Sequence, residues 1–402
     1  MAVTETTTQS WGSRLGDSVK GVIVGIVLFL LGFPVLFWNE GNSVKTAKAL
    51  DEGENACVSV ESIEKVDPEM EGQLVHMTGL ATTQDVLTDD QFGVSTTAIA
   101  LKRTTEMFQW VEHSKTEEKK NLGGSVTRTT TYTYTQEWLE SAVDSSGFKE
   151  QGHDNPGFIE FPSEEKRAAN VTFGAFSLNE SQISRIGSEQ AYAFPTDFVC
   201  RVERVQRLGT MIYVPNKQTR DNALNNRDVA SQARIGDMRV KFTVILPHKI
   251  SLVAKQSGDT FVRYTAKTKK KVDLLCDGVK DAAEMFEDAR DANAMLTWLV
   301  RIGGFLLMFF GISMVLKPLS VLADVLPILG NIVEIGNGLV AGIVALVCSL
   351  VTIAIAWIFY RPVIAIFLLA IAAGGIFLLW KKRQAKKAAA APAAPAAPSA
   401  AF

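Results

Sequence analysis

The sequence is poor in the residue types that build catalytic and metal centres. Only four histidines and four cysteines occur in 402 residues, and no two of them stand at the spacing of a ligand pair. A GxSxG elbow, an HExxH motif, a phosphate-binding glycine loop and a dinucleotide fingerprint are also absent. These absences predict that the protein is not an enzyme. We expect no catalytic, cofactor-binding or metal-binding residues, and no cofactor.

The histidines offer one weak exception. The four histidines, His113 and His248 among them, are scattered, and His76 falls inside a predicted strand, so a packed or half-exposed histidine is favoured over a ligand there. His153-Asp154, in a loop with glycine and proline, is the best single candidate for a metal or acid–base role. The favoured alternative is a loop whose polar groups satisfy its own backbone.

Neither charge nor cysteine content defines a special class. The formal net charge of −2 excludes a globally basic protein, so nucleic acid is not an expected partner. Cys57, Cys200 and Cys276 lie outside the apolar runs, where buried thiols or one disulfide are both possible. Cys348 lies within an apolar run.

Long apolar runs organise the chain. Residues 21–38, 295–316, 335–360 and 362–380 are predicted transmembrane helices, since each has roughly the 20 apolar residues that cross a hydrocarbon core. The first run ends in bulky residues, whereas a signal-peptidase site needs small ones, so it is expected to remain as an anchor. Pro34 is expected to kink its end, and Trp38 to lie at the membrane interface.

Residues 44–293 contain no membrane span and predict a large, mainly antiparallel β (α+β) domain, barrel-like or sandwich-like. Strands are expected at 57–60, 73–81, 98–113 (one long strand, or a hairpin bent at Thr104-Thr105), 126–138, 198–205, 237–246, 249–255 and 260–264. Short helices are expected at 44–53 and at 279–293, the second with Asp277 as a plausible N-cap. Residues 114–125 are expected to form a mobile loop.

The remaining segments flank the spans. In residues 317–334, Pro318 and Pro327 are expected to break any continuous helix, which favours an interfacial amphipathic segment over a re-entrant hairpin. Residues 381–402 are basic and then rich in alanine and proline, which predicts a disordered tail.

Basic residues set the predicted orientation. Five Lys or Arg residues begin the tail, and Arg14, Lys20 and Lys317 fall on the same side, against Arg361 alone on the other. Residues 1–20, 317–334 and the tail should therefore be cytoplasmic, and the β domain extracytoplasmic or lumenal. The protein should be a multi-pass membrane protein with both termini in the cytoplasm.

The spans themselves suggest an anchor. Arg301 is the only ionisable residue well inside a span, and it lies near the outer end, where it can reach water. Carriers usually place ionisable groups at mid-depth, so transport is not favoured. Gly336, Gly338, Ala341 and Gly342 would permit close helix contact and a homo-oligomer.

Five aromatic residues stand out in the strands of the predicted β domain. Phe108, Trp110, Tyr132, Tyr134 and Trp138 are predicted to pack in its core, with a ligand- or lipid-binding face as the alternative.

An ordered set of short motifs resembles the LUMA family, also called the transmembrane protein 43 family. The resemblance covers nearly the full length of the chain. The motifs are Asn39-Glu40-Gly41, residues 47–53, Glu71-Gly72, Leu74-Val75-His76, residues 101–112, Tyr132, Tyr134, Glu137-Trp138, Gly152-His153, Asn155-Pro156, residues 236–240, Thr297-Trp298, Asp324 with Pro327, and Trp357 with Tyr360-Arg361-Pro362.

The resemblance implies four spans and a large domain outside the cytosol, for which a barrel of the oligonucleotide/oligosaccharide-binding type is compatible. Animal members resemble self-associating organisers of the inner nuclear membrane and endoplasmic reticulum that bind emerin and lamins. The tail suggests a bacterial member, in an inner (plasma) membrane and without those partners. We therefore expect a membrane-organising scaffold that binds itself, lipid and other membrane proteins. A channel or transporter and an extracytoplasmic enzyme are the alternatives.

Overall fold

The computed structural model describes residues 3–221 and 233–362. The chain divides into two compact units, which are described separately. The first, here the β unit, contains the residues up to Ser18, Lys45–Ala294 and Pro318–Glu334. The second, here the helical unit, contains Val19–Val44, Met295–Lys317 and the described residues from Ile335 onward.

Five α-helices are present in the described residues. They are α1 (Trp11–Ala56), α2 (Glu180–Ile183), α3 (Lys217–Asp221), α4 (Ala282–Ala323) and α5 (Pro327–Tyr360), with a short 3-10 helix at Pro68–Met70. By length and composition α1, α4 and α5 are candidate membrane spans. These three agree with the first three predicted spans. The fourth, 362–380, lies outside the described residues except for Pro362.

The long helices continue past positions where the sequence predicted breaks. Pro34 lies inside α1, and the helix predicted at 44–53 is the end of the same helix. The helix predicted at 279–293 and the second span are both parts of α4, which begins after Asp281 as its N-cap, not Asp277. Pro318 lies within α4, so the prediction of a break there was wrong; the helix ends at Ala323 and α5 begins at Pro327. Proline removes one backbone hydrogen bond, and the burial of Ser320 and Val321 in the next turn helps to offset that cost.

One sheet of the β unit has eight strands. They are β1 (Val3–Gln9), β6 (Ala100–Lys120), β7 (Val126–Leu139), β8 (Glu164–Arg167), β11 (Gln190–Ala191), β12 (Gln206–Leu208), β13 (Met211–Val214) and β14 (Met238–Ile245). The order is β1-β7-β6-β14-β13-β12, and β8 and β11 pair with β6 and β14. All of these pairings are antiparallel.

The second sheet has seven strands, five of which close on themselves. The strands are β2 (Cys57–Ser59), β3 (Leu74–Thr82), β9 (Thr172–Phe173), β10 (Phe176–Ser177), β15 (His248–Ser257), β16 (Thr260–Val262) and β19 (Leu274–Asp277). Because β15 pairs with both β16 and β3, the path β15-β16-β10-β9-β3 forms a ring. The β unit therefore combines a small closed barrel with an open sheet. Two ribbons complete it, β4 (Val86–Asp89) with β5 (Val94–Thr97), and β17 (Tyr264–Thr265) with β18 (Lys271–Val272).

The barrel interior is filled by side chains from its own strands. Phe173, Phe176 and Phe261 are almost fully buried there, with Val75 and Leu252 beside them in the same core cluster. At 25 cal/mol per Å² of apolar surface, each such aromatic ring contributes roughly 2–3 kcal/mol. The interior is therefore a packed core.

The β6–β7 hairpin differs most from its prediction. Fourteen residue pairs align Met107–Lys120 with Val126–Leu139 without a bend at Thr104-Thr105. The loop predicted at 114–125 is in fact strand up to Lys120, with a tight turn after it, so that prediction was wrong. Charged residues of β6 pair with threonines of β7, and Glu118 pairs with Arg128, which favours strand over loop despite the polarity.

The strand predicted at 198–205 was also wrong, since the described chain is irregular there. Phe198, Cys200, Val202 and Val205 pack instead against the core of the eight-stranded sheet. The alternation of these apolar residues reflects their contact with the sheet, although they do not form a strand of it. The other predicted strands are confirmed within a few residues.

Candidate functional site

A buried polar cluster joins the three long helices of the helical unit. Glu40 of α1 is fully buried, and Arg301 of α4 donates to both of its carboxylate oxygens, at 2.6 and 2.9 Å. The indole Nε1 of Trp357 on α5 donates to Glu40 Oε2 at 2.8 Å. The Arg301 guanidinium also lies over the ring of Trp298, 4.7 Å from its centroid. One carboxylate is thus the common acceptor for residues of two other helices.

Further hydrogen bonds extend this cluster by one helical turn. Asn39 Nδ2 donates to the backbone carbonyl of Thr297 at 3.1 Å, and Thr297 Oγ1 donates to Ser43 Oγ at 2.8 Å. Thr297 and Arg301 are four residues apart, as are Asn39 and Ser43, so each pair lies on one face of its helix. The Arg301 side chain, expected to reach water, is 14% exposed and pairs with Glu40.

The cluster can fix helix positions but offers little chemistry. A bidentate Arg–carboxylate pair away from water is strongly coupled, and loss of one partner typically costs about 3–5 kcal/mol. The Nε and Nη2 groups of Arg301 both donate to Glu40. The arrangement is therefore that of a structural lock between spans.

Below this lock, α1 and α4 approach closely through glycines. A Cβ placed on Gly311 would lie 2.6 Å from the carbonyl oxygen of Gly25, and one on Gly304 would lie 2.4 Å from the side chain of Leu36. Larger residues at these positions would push the helices apart. The glycines predicted for helix contact behave differently: Gly336 and Gly338 face open space, while Ala341 is fully buried.

The loop histidine lies against the predicted aromatic face. The His153 ring stacks on Tyr134 with centroids 4.1 Å apart and meets Trp110 edge-on at 4.5 Å. Its buried Nδ1 has no hydrogen-bond partner among the described residues, and Asp154 is exposed. Tyr134 in turn donates to Glu112 Oε2 at 2.6 Å. The geometry is one of ring packing.

The aromatic residues on this face are half-buried and outside the core clusters of the β unit. Phe108 packs on Trp138 at 5.0 Å, and Arg239 lies over the Trp138 ring at 3.9 Å. Asn155 fixes the adjacent loop by accepting from the Trp110 backbone N–H at 2.7 Å. Neither the core nor the open binding face predicted from sequence describes them fully.

The remaining histidines and the cysteines have ordinary structural environments. His76 Nε2 donates to the Lys280 carbonyl at 2.9 Å, as expected for a packed histidine. All four cysteines are free thiols, which decides between the two alternatives left open by the sequence. Burial, with help from Glu54, raises the pKa of the Cys57 thiol to about 11. No group of three or more His, Cys, Asp or Glu side chains in residues 3–221 and 233–362 is arranged to hold a metal ion.

A second ionic cluster lies in the β unit. The carboxylate of Asp324, only 1% exposed, accepts from Arg14 at 2.5 Å, and Lys120 lies 2.9 Å from its other oxygen. Trp11 Nε1 donates to the Val321 carbonyl at 2.9 Å. Lys120 also pairs with Glu334 at 2.8 Å; burial alone would lower the Lys120 pKa, but these carboxylates outweigh it and raise it. The cluster joins the N-terminal segment, the turn of the β6–β7 hairpin and the segment between α4 and α5.

Sequence reasoning missed both ionic clusters. Glu40 follows the first apolar run directly, and its role depends on a partner 261 residues away along the chain. The only available signal was that Glu40, Arg301 and Trp357 each stand at the end of an apolar run where the spans should share a depth. For Asp324 the signal was an acidic residue between two apolar stretches.

Together the helices and the large sheet domain define a class: an integral membrane protein anchored by several apolar helices and carrying a β-rich domain. A family model, "Transmembrane protein 43", matches residues 107–362. Transmembrane protein 43 of Mus musculus is 33% identical over 385 residues, 93% of each chain. The Homo sapiens protein is 32% identical over the same length, and a Drosophila melanogaster homolog is 30% identical over 372 residues, 90% of this chain and 94% of its own.

The chain therefore belongs to the transmembrane protein 43 family, and the resemblance noted in its motifs is confirmed. No solved structure matches it.

Proposed function

We propose that the protein is a non-enzymatic scaffold of its membrane. The helical unit anchors it and associates with further copies, and the β unit, most of which lies on the extracytoplasmic side, binds partner proteins or lipid. The observation that carries this proposal is the Glu40–Arg301–Trp357 lock. Glu40 and Arg301, which stand at the ends of two described apolar runs, pair with each other, as a static anchor requires.

The rival functions have less support. A carrier or proton relay needs a polar group at mid-depth that is free to change partners. In α5, Ser349 and Thr352 instead donate to backbone carbonyls of their own helix, at 2.9 and 2.7 Å. The hypothesis of an enzyme is favoured by the Nδ1 of His153, which has no hydrogen-bond partner among the described residues. The two aromatic rings against that histidine favour a packing role instead.

Self-association is supported by the surface of α5. Gly336 and Gly338 have open space where a side chain would project, and large apolar residues such as Ile335 and Leu339 are exposed beside them. Small residues let two helices approach closely in lipid, where van der Waals packing drives association. This face of α5 is therefore proposed as the contact between copies.

The test is the size of the full-length protein in native nanodiscs, measured by mass photometry. The wild type is expected to be oligomeric, and the double variant Gly336→Leu/Gly338→Leu to fall to a smaller species. Gly303→Leu is the matched control, because Gly303 of α4 also faces open space. A wild type that is monomeric at all concentrations would overturn the proposal, as would equal effects of the two sets of substitutions.

A further inference from the structure

A groove between α4 and α5 lies beside the Glu40–Arg301 pair. Its cavity is about 310 Å³, and all of its lining belongs to the helical unit. Arg301 and two tryptophans, Trp298 and Trp357, lie at one end. The rest is almost wholly apolar: Ile302, Phe305, Leu346, Ser349, Leu350 and Ile353.

The polar end of the groove carries an asymmetric charge. The Arg301 guanidinium lines the groove, whereas Glu40, which pairs with it, is fully buried and is not part of the lining. A molecule in the groove therefore meets the positive member of the pair first. Arg301 suits phosphate because its guanidinium is planar and always charged. The paired indoles are typical of the membrane interface, where the headgroups of lipids lie.

The apolar part of the groove has the length of one acyl chain. Leu346 and Trp357 are eleven residues apart on α5, which is about 16 Å along a helix. Half of a hydrocarbon core is about 15 Å. A groove that runs from the interface to near the bilayer centre matches one leaflet, and a phospholipid places a phosphate and an acyl chain at these two positions.

We propose that this groove binds one phospholipid of the surrounding leaflet, with its phosphate at Arg301 and an acyl chain along Phe305 and Leu350. The proposal goes beyond the scaffold function and uses only its placement of the helical unit in a bilayer. The bound lipid would fill the space between α4 and α5 next to the lock. It would therefore act as a structural part of the anchor.

The test is native mass spectrometry of the full-length protein released from nanodiscs of phosphatidylcholine or of phosphatidylglycerol. We expect one lipid retained per chain from either, with more from phosphatidylglycerol because its net negative charge complements Arg301. Leu350→Trp fills the groove and should reduce the lipid-bound fraction at least fivefold. Val351→Trp is the matched control: Val351 is 51% exposed, close to the 56% of Leu350, but does not line the groove.

Three outcomes would overturn the proposal: no retained lipid, equal loss in both variants, or no loss in Leu350→Trp. A fourth would do so as well: if the full chain retains no lipid but a chain truncated after Pro362 retains one, the groove belongs to the segment that follows Pro362. The spectrum also gives the oligomer mass, so a monomer with a Leu350-dependent lipid would refute self-association and leave this inference standing.

Discussion

Two buried acids, one in each unit, hold together segments that are far apart in the chain. Glu40 joins α1, α4 and α5 through Arg301 and Trp357, and Asp324 joins the N-terminal segment, the hairpin turn and the α4–α5 connection through Arg14 and Lys120. The chemistry is the same, but the relation to the predicted topology differs. Glu40 connects residues expected at one depth of the bilayer. Asp324 connects segments that the sequence assigns to opposite sides.

The difference shows that counts of basic residues do not detect contacts between distant segments of the chain. They assign residues 1–20 and 317–334 to the cytoplasm and the β domain to the other side. However, β1 pairs with β7 over seven residues, and the backbone N–H of Gly123 donates to the Val325 carbonyl at 3.1 Å. These two contacts can form only if the hairpin turn lies in the same compartment as the N-terminal segment. A hairpin that ran from one compartment to the other would need its charged strands shielded from lipid, since hydrocarbon tolerates neither open strand edges nor charge.

Breaking the Glu40 lock should have the largest effect. Arg301→Ala leaves a buried carboxylate without its cation, which costs about 3–5 kcal/mol. We expect a clear fall in the thermal midpoint of the detergent-solubilised protein. The double variant Glu40→Gln/Arg301→Met, which removes both charges, should recover much of it. A single variant as stable as the wild type would contradict the lock.

The glycine crossing should come next. Gly311→Leu places a side chain on the α1 backbone at Gly25 and Phe29, and overpacking of this kind costs about 1–3 kcal/mol or more. Gly303→Leu, on the same helix but facing open space, should change the thermal midpoint by little. Equal destabilisation by the two would show that helix propensity, and not the close approach of α1 and α4, determines the result.

Removal of the Asp324 carboxylate should have a moderate effect. Asp324→Ala leaves Arg14 and Lys120 without an acceptor, at about 1–3 kcal/mol because both cations keep some access to water. Limited proteolysis should then cut the hairpin turn near Leu122 faster than in the wild type. Glu117→Ala, a loss of an exposed acid on the same hairpin, is the control and should not change the rate.

Two glycines of the β unit with nearly the same φ allow a test of what one added Cβ atom costs. Gly174 has φ +60°, and a Cβ there would lie 2.2 Å from the carbonyl oxygen of Ile63. Gly258 has φ +59° with open space around it. Gly174→Ala should therefore destabilise the β unit more than Gly258→Ala by at least about 1 kcal/mol, measured by chemical denaturation. Equal losses would mean that backbone strain alone matters.

The smallest effect concerns the Cys57 thiol. With a pKa raised to about 11 by burial and Glu54, it should be almost fully protonated at pH 8 and react slowly with iodoacetamide. In a variant that keeps only Cys57, the alkylation rate should rise about tenfold per pH unit up to pH 10. A Val199→Cys thiol, which is exposed, should level off above about pH 9. Matching profiles would contradict the raised pKa.

Much of the architecture followed from local pattern. The three described spans came from uninterrupted apolar runs, and most strands from alternation at β-branched and aromatic residues. What failed depended on distant partners. Lys115 and Glu118 resembled loop residues because they are charged. They lie in a strand because a solvated strand can carry charge on both faces when its neighbour is equally polar. Pro318 looked like a break because the contacts that hold the following turn lie outside its own segment. Closure of the barrel rests on β15 pairing with β3, 170 or so residues earlier, which no local window contains.

The most direct test of the account is the side of the membrane on which the N-terminal segment, the hairpin turn and the segment around Val199 lie. In a chain without native cysteines, single thiols at Thr6, Leu122 and Val199, all exposed, would be labelled in intact cells with an impermeant maleimide. The account predicts that Val199→Cys is labelled, while Thr6→Cys and Leu122→Cys react only after the membrane is opened. Labelling of Leu122→Cys together with Val199→Cys would refute the placement of the hairpin turn. Labelling of Thr6→Cys in intact cells, or protection of Val199→Cys, would contradict the proposed orientation itself.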